Sequence, residues 1–254
     1  MLSGFEKFAV RLMERANVAR PTAFWQRQVL LRFVGAVLRR RTTVHGLERL
    51  PKDPRERILL VANHRTFFDL FALGWILWDV AGFPQSVSFP VRANFFYENP
   101  LGLAICLVMS GGSMYPPFFR DAAKKGANKQ MLQHLIDHLR EPGRLVGFHP
   151  EGTRSTGEDP YQLLPAKPGV GELALKARPT VVPAFINGLS NSFATELVST
   201  TPIIAVFGEP IPLPEVEGQP RLSHYKRCAD LFNERISRLG DEEKALRAQL
   251  KPVA

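Results

Sequence analysis

The chain has 254 residues, of which 45% are hydrophobic and 22% charged, and a formal net charge of +9. That length is sufficient for one large core, and a single α/β domain of this size is ordinary. Its two cysteines, Cys106 and Cys228, stand far apart without CxxC spacing, which excludes a disulfide framework and a thiolate metal site and suits a reducing compartment.

The positive charge is concentrated at the start. Before Thr42, nine Lys and Arg residues face only Glu6 and Glu14, so this segment carries +7 of the total. Apolar residues recur there at helical intervals: Phe5, Phe8, Leu12 and Met13 before Pro21, then Phe24, Val29, Phe33 and Val37 after it. Residues 1–41 are therefore predicted to form a basic amphipathic helical pair, with the main domain over 42–254. A bilayer-spanning helix needs about 20 mostly apolar residues, whereas the run over 29–38 is short and interrupted by Arg32. The pair is expected to lie on an anionic membrane surface without crossing it, giving a peripheral protein at the cytoplasmic face. The alternative is that it docks on the domain core. Scattered charges exclude a cleavable signal peptide, and no recognition motif accompanies the charge, so nucleic acid is not an expected partner.

From residue 42 short apolar runs alternate with helical patterns, which predicts an α/β layer structure with strands over 43–45, 58–62, 86–91, 113–115, 145–148, 181–186 and 203–208. Helices are predicted over 66–78, 100–109, 122–140, 169–176 and 223–239. The uncharged run 99–119 contains Gly102, Gly111, Gly112, Pro116 and Pro117, so it reads as a buried helix followed by a strand and turn. The proline-rich stretch 208–220 is expected to wrap the surface, and the charged tail beyond Gly240 to fray.

Candidate site residues each follow a predicted strand: His64 after 58–62, Arg92 after 86–91, and the segment PEGTRS after 145–148. Open α/β sheets bind ligands outside the carboxyl ends of their strands, so these segments are expected to converge. On a continuous helix His64 and Asp69 would point about 140° apart. They meet if His64 sits in the turn that ends a strand and Asp69 at the start of the next helix. An imidazole titrates near neutrality and can take a proton from a hydroxyl, with Asp69 fixing its tautomer. No GxSxG elbow supplies a protein nucleophile, so the nucleophile would belong to the substrate. In EGTRS, Gly152 leaves backbone N–H groups accessible, Thr153 and Ser155 offer hydroxyls, and Arg154 offers a planar fork suited to phosphate. Glu151 is expected to brace the loop or hold a substrate hydroxyl.

NHRTFFD over 63–69, followed 82 residues after Asp69 by EGTRS over 151–155, resembles the glycerolipid acyltransferase family that includes the 1-acylglycerol-3-phosphate acyltransferases. VRANFFYENPLG over 91–102 and VVPAFING over 181–188 are similar to two further blocks of that family, and the resemblance covers roughly residues 43–210. It implies a mixed sheet flanked by helices. It also implies transfer of a fatty acyl group from acyl-CoA or acyl carrier protein to a lysophospholipid hydroxyl, with no acyl-enzyme, no metal and no cofactor. In that scheme His64 is the general base and Asp69 its orienting partner. Arg92, Arg120 and Arg154 bind the acceptor phosphate, Glu151, Gly152 and Thr153 shape that pocket, and Pro183 packs near the acyl chain.

Arg92 stands where the family usually has lysine and Asn94 where it often has glutamate, which leaves the acceptor less defined than the reaction. His149 reads as a local hydrogen-bonding residue. The phenylalanine doublets at 67–68, 95–96 and 118–119 read as core, with an acyl tunnel as the alternative. Rival functions are a metal-dependent phosphate-ester hydrolase built on His64, Asp69, His149 and Glu151, a non-catalytic lipid-binding protein, and an acyltransferase for another acceptor such as a lyso-ornithine lipid.

Overall fold

The computed structural model describes residues 2–83 and 87–250. The chain opens with α1 (Gly4–Val18) and α2 (Arg20–Trp25), then a π-helical turn and α3 (Leu31–Leu38). There follow β1 (Thr42–His45), β2 (Ile58–Ala62) and α4 (Asp69–Trp75), then β3 (Val87–Ser88), β4 (Val91–Arg92), α5 (Ala93–Phe96) and α6 (Pro100–Ser110). Next come β5 (Pro117–Phe118), α7 (Lys125–Arg140), β6 (Leu145–Phe148), α8 (Pro168–Ala177), β7 (Thr180–Asn187), α9 (Phe193–Val198), β8 (Ile203–Phe207) and α10 (Leu222–Ala248).

Six strands form a mixed sheet in the order β1-β8-β7-β2-β6-β3, parallel throughout except for the β7–β8 pair. A separate parallel pair joins β4 to β5. The predicted mixed sheet flanked by helices is thus present. β2 is buried along its whole length, the pattern of a parallel strand covered on both faces. Its alternate residues enter two cores: Ile58, Leu60 and Ala62 join α1, α3, α4 and α6, whereas Leu59 and Val61 join α7, α8 and α10.

The N-terminal segment does not stand apart. Ala9, Met13, Leu31 and Leu38 enter the same core as β2 and α4, so the inner face of this basic segment docks on the domain. Its outer face keeps Phe8, Phe24, Trp25, Val29 and Phe33 exposed. No helix among the described residues is long and apolar enough to cross a membrane.

Several predicted elements differ in the structure. The strand expected over 86–91 is divided between β3 in the main sheet and β4 in the small one, and Ser86 lies outside the described residues. No strand forms over 113–115; after the Gly111–Gly112 turn the Ser113 carbonyl accepts from the Phe89 and Tyr115 N–H groups, and strand pairing begins at Pro117. Among the described residues the tail beyond Gly240 does not fray. α10 runs on to Ala248 because Gly240 packs on the Phe185 ring and buried Glu243 binds Tyr161 and Arg247. α9 falls outside every predicted element; it starts where the Ser192 side chain accepts from the Thr195 N–H.

α9 is held to the end of the N-terminal segment by a buried ion pair between Arg41 and Glu196, whose side chains are 8% and 5% exposed. Arg41 also donates to the carbonyl of Thr201 at 3.0 Å. Removing one member of such a pair leaves an unpaired charge in a dry site. Arg41→Met is therefore expected to lower the unfolding free energy by about 3–5 kcal/mol, measured from the urea midpoint at constant slope.

Candidate active site

β2 and β6 lie side by side and parallel, so the loops leaving their carboxyl ends meet. His64 stands two residues beyond β2, and Asp69 is the first residue of α4. His64 Nδ1 lies 3.2 Å from Asp69 Oδ2. The same oxygen accepts from the backbone N–H groups of Arg65 and Thr66, each at 2.8 Å, and Oδ1 accepts from the Thr66 hydroxyl at 2.6 Å. Every one of these neighbours is a donor, so Asp69 serves as an acceptor and the hydrogen at the dyad is assigned to Nδ1 of His64. Nε2 is the nitrogen left for a substrate; among the described residues no hydrogen bond occupies it.

The second motif fixes the peptide groups on both sides of His64. Glu151 is buried, and its Oε1 accepts from the His64 N–H at 2.8 Å while Oε2 accepts from the Leu164 N–H at 2.7 Å. The carbonyl of His64 accepts from the Ser155 N–H at 2.8 Å. With both oxygens so engaged, Glu151 braces the loop and does not face the cleft as a binding group. Gly152 takes a left-handed conformation, φ 65°, beside the stem of Lys167, a geometry a side chain would strain.

Asn63 and Arg65, the neighbours of His64, carry structural roles that sequence reasoning does not assign. Asn63 is buried, and its amide pairs with both the N–H and the carbonyl of Ile186 in β7 at 2.9 Å. Arg65 binds the Ser155 hydroxyl and the Gly157 carbonyl, 3.2 and 2.8 Å away, and so braces the EGTRS loop. Only the NH dipeptide hints at Asn63; its partner lies far along the chain.

Three arginines surround the cleft. Pairing of β4 with β5 sets Arg92 opposite Phe118, two residues before Arg120. Arg92 hydrogen-bonds to the Thr153 hydroxyl, and Arg154 donates to Asn191 Oδ1 at 3.1 Å. Burial pushes the Arg92 pKa down, and the charges of Arg120 and Arg154 push the same way, so the three guanidinium groups are close enough to repel one another. Gly102, in the same block as Arg92, lets α6 approach: a Cβ there would fall 1.8 Å from the Phe95 carbonyl oxygen.

His149 Nδ1 lies 3.0 Å from the carbonyl of Ala62, and its ring stacks on His64 with centroids 3.8 Å apart and planes within 6°. Burial pushes the His64 pKa down to about 3, and the charges of Arg154 and Arg92 act in the same direction. His149 is also pushed down to about 3, by burial first and then by His64. Burial raises the Asp69 carboxyl, opposed by His149 and by the donors from Thr66 and Arg65. His64 is therefore a neutral, oriented imidazole.

Atoms of His64, Asp69 and His149 lie within 4.8 Å of one another, a grouping that could in principle hold a metal ion. Imidazole lone pairs lie in the ring plane, and no point lies in the planes of two parallel rings 3.8 Å apart. The Asp69 oxygens are already engaged by four donors, and Glu151 by two. These residues do not fit the four-ligand centre of a metal hydrolase.

Beside the dyad runs an apolar groove of about 510 Å³ lined by Phe33, Val37, Phe68, Phe71, Met109 and Phe193 among others. Of the phenylalanine doublets, only Phe68 reaches it; Phe67 packs against Phe71 and Phe96. Pro183 stands away from this groove. Its ring lies with Leu239 beside Gly208, on the face of β7 that packs against α10, and the groove is on the opposite face, so Pro183 does not line the groove.

A family profile described as Acyltransferase matches residues 41–187, more than half of the chain. The chain is similar to the 1-acyl-sn-glycerol-3-phosphate acyltransferase of Saccharomyces cerevisiae, 29% identical over 147 residues that make up 58% of this chain and 43% of that protein. It is also similar to the human 1-acyl-sn-glycerol-3-phosphate acyltransferase beta, 26% identical over 157 residues, 60% of this chain and 51% of the relative. The chain thus spans about half the length of these two relatives. The Bacillus subtilis 1-acyl-sn-glycerol-3-phosphate acyltransferase is 25% identical over 80% of this chain and 89% of its own length. Among solved structures, the 1-acyl-sn-glycerophosphate acyltransferase PlsC of Thermotoga maritima shares the fold, with a TM-score of 0.50 at 17% identity over 90% of this chain and 87% of that one. By the extent of its profile match and the fold that carries both motifs, this chain belongs to the acyltransferase family.

Proposed function

We propose that the protein transfers a fatty acyl group from a thioester, acyl-CoA or acyl carrier protein, to the free hydroxyl of a lysophospholipid, 1-acylglycerol-3-phosphate, giving phosphatidate. The observation that carries this reading is a neutral His64, oriented by Asp69, with Arg92, Arg120 and Arg154 grouped near it and an apolar groove lined by Phe68, the chain neighbour of Asp69. The names of the similar proteins support the same acceptor.

In the step, the acceptor hydroxyl gives its proton to His64 Nε2 as its oxygen attacks the thioester carbonyl carbon. The resulting imidazolium is stabilised by the Asp69 carboxylate. The tetrahedral adduct collapses with cleavage of the C–S bond, and His64 returns the proton to the departing thiolate. The free thiol and the ester are the products, and the base is regenerated without a covalent enzyme intermediate, cofactor or metal ion. The arginines hold the acceptor phosphate and the groove holds an acyl chain. A lyso-ornithine acceptor would leave the three charges without a phosphate.

Free CoA released from an acyl-CoA on adding lysophosphatidate tests this reading. His64→Ala is expected to reduce acceptor-dependent release by about 10²–10⁴-fold, with release in the absence of acceptor unchanged; no acceptor dependence in the wild type would point to the lipid-binding alternative. Because burial and positive neighbours hold the His64 pKa down, the acid limb of kcat/KM should lie well below the ordinary imidazole value of about 6.5, and Arg154→Ala should move that limb to higher pH. The exposed outer face of the N-terminal segment is read as the contact with an anionic membrane surface. Phe24→Gln with Val29→Gln is expected to weaken sedimentation with anionic vesicles, as is raised salt.

A further inference from the structure

The connection between β7 and β8, residues 188–202, touches both motif loops and the apolar groove. Its Asn191 side chain accepts from Arg154 Nη1 at 3.1 Å and donates to the Arg65 carbonyl at 3.3 Å, joining the arginine of one motif to the backbone of the other. Two residues on, Phe193 lines the apolar groove and packs against Phe33 of α3 and Phe68 beside the dyad, with centroids 6.2 and 6.3 Å away. Three residues further, Glu196 pairs with Arg41 and accepts from the Ser190 N–H. The ion pair ties both ends of the connection, since Arg41 also reaches the Gly188 and Thr201 carbonyls, at 3.4 and 3.0 Å.

A guanidinium on an exposed loop has many rotamers, and only a fork aimed in advance binds phosphate without first losing that freedom. Arg154 is exposed, and among the described residues Asn191 is its only hydrogen-bond partner. An amide oxygen is well suited to such a contact, because it accepts from the fork at one donor, leaves the others for an anion, and keeps the arginine's charge uncompensated. A carboxylate in the same place would cancel it.

We propose that Asn191 is a positioning residue for the anionic head group of the acceptor, holding the Arg154 guanidinium toward the His64 cleft from a segment that the Arg41–Glu196 pair anchors. The proposal rests on the acyl-transfer reading and assigns head-group discrimination to a residue outside the sequence motifs.

The test compares wild type, Asn191→Ala, Asn191→Asp, Glu196→Gln and the Asn191→Ala/Glu196→Gln double variant. Acyl transfer from an acyl-CoA is measured with lysophosphatidate and with a monoacylglycerol of the same chain, alongside equilibrium binding of both acceptors. Asn191→Ala is expected to raise KM and Kd for lysophosphatidate at least about fivefold more than for monoacylglycerol, with kcat changing less than about twofold. Asn191→Asp should shift the ratio further. Glu196→Gln should move it in the same direction, and the double variant should do no more than the worse single one. An unchanged ratio, or a loss of kcat equal for both acceptors together with a lower Tm, would overturn the proposal and leave the acyl-transfer reading intact. If wild type acylates neither acceptor but Asn191→Ala still weakens lysophosphatidate binding selectively, the proposal stands and the reaction is misassigned. A wild type that binds both acceptors equally would overturn the proposal and the choice of a phosphate-bearing acceptor, while CoA release would still decide the acyl-transfer reading.

Discussion

The site depends on one buried carboxylate. Glu151 is removed from solvent, yet its two oxygens satisfy the N–H groups of His64 and Leu164, residues far apart along the chain. A buried anion is tolerated when fixed donors replace its hydration, and here the donors are backbone groups whose positions set those of the catalytic loop. The return bond from the Ser155 N–H to the His64 carbonyl makes the hold reciprocal. His64 is placed by a neighbouring loop as much as by its own strand. Glutamate and the following glycine act together: one clamps, and the other allows the chain to turn away at φ 65°.

The parts of the molecule set by local pattern were legible from residues alone. β2 and β6 have the same bounds in sequence pattern and structure because each is a short run of apolar residues, ended by a polar turn. The His64–Asp69 juxtaposition followed from a spacing that a helix forbids and a strand–helix junction permits. Parts set by distant partners were not legible. Asn63 owes its role to Ile186, and Asn191 to Arg154, and nothing near either residue announces the pairing. The side of the sheet on which Pro183 lies was not legible either, because residue type does not say which face of a strand a side chain takes; the pairing of β7 with β2 and its packing on α10 decide that. The C-terminal extension of α10 was missed for a similar reason, since a charged tail is read as solvated until Tyr161 is found against Glu243.

The N-terminal segment joins two functions that its composition had set in opposition. One face completes the core over β2 and α4, while the other displays aromatic and aliphatic side chains to the exterior. The groove opens between the two, walled by α3 on one side and α9 on the other. Displacement of this segment would therefore change the shape of the groove as well as any contact beyond the protein, because Phe33 and Phe193 form a shared wall.

The stacked rings of His64 and His149 have a consequence for proton storage. Two positive charges 3.8 Å apart repel by about 4 kcal/mol at an effective dielectric constant of about 20, or roughly three pH units. The pair therefore carries one positive charge at a time. The hydrogen on His149 Nδ1 is committed to the Ala62 carbonyl, and the neutral ring presents a π face to the imidazolium that forms at His64. The two imidazoles act as a single-charge vessel, and in the proposed transfer its capacity is filled by the proton that one acceptor hydroxyl releases.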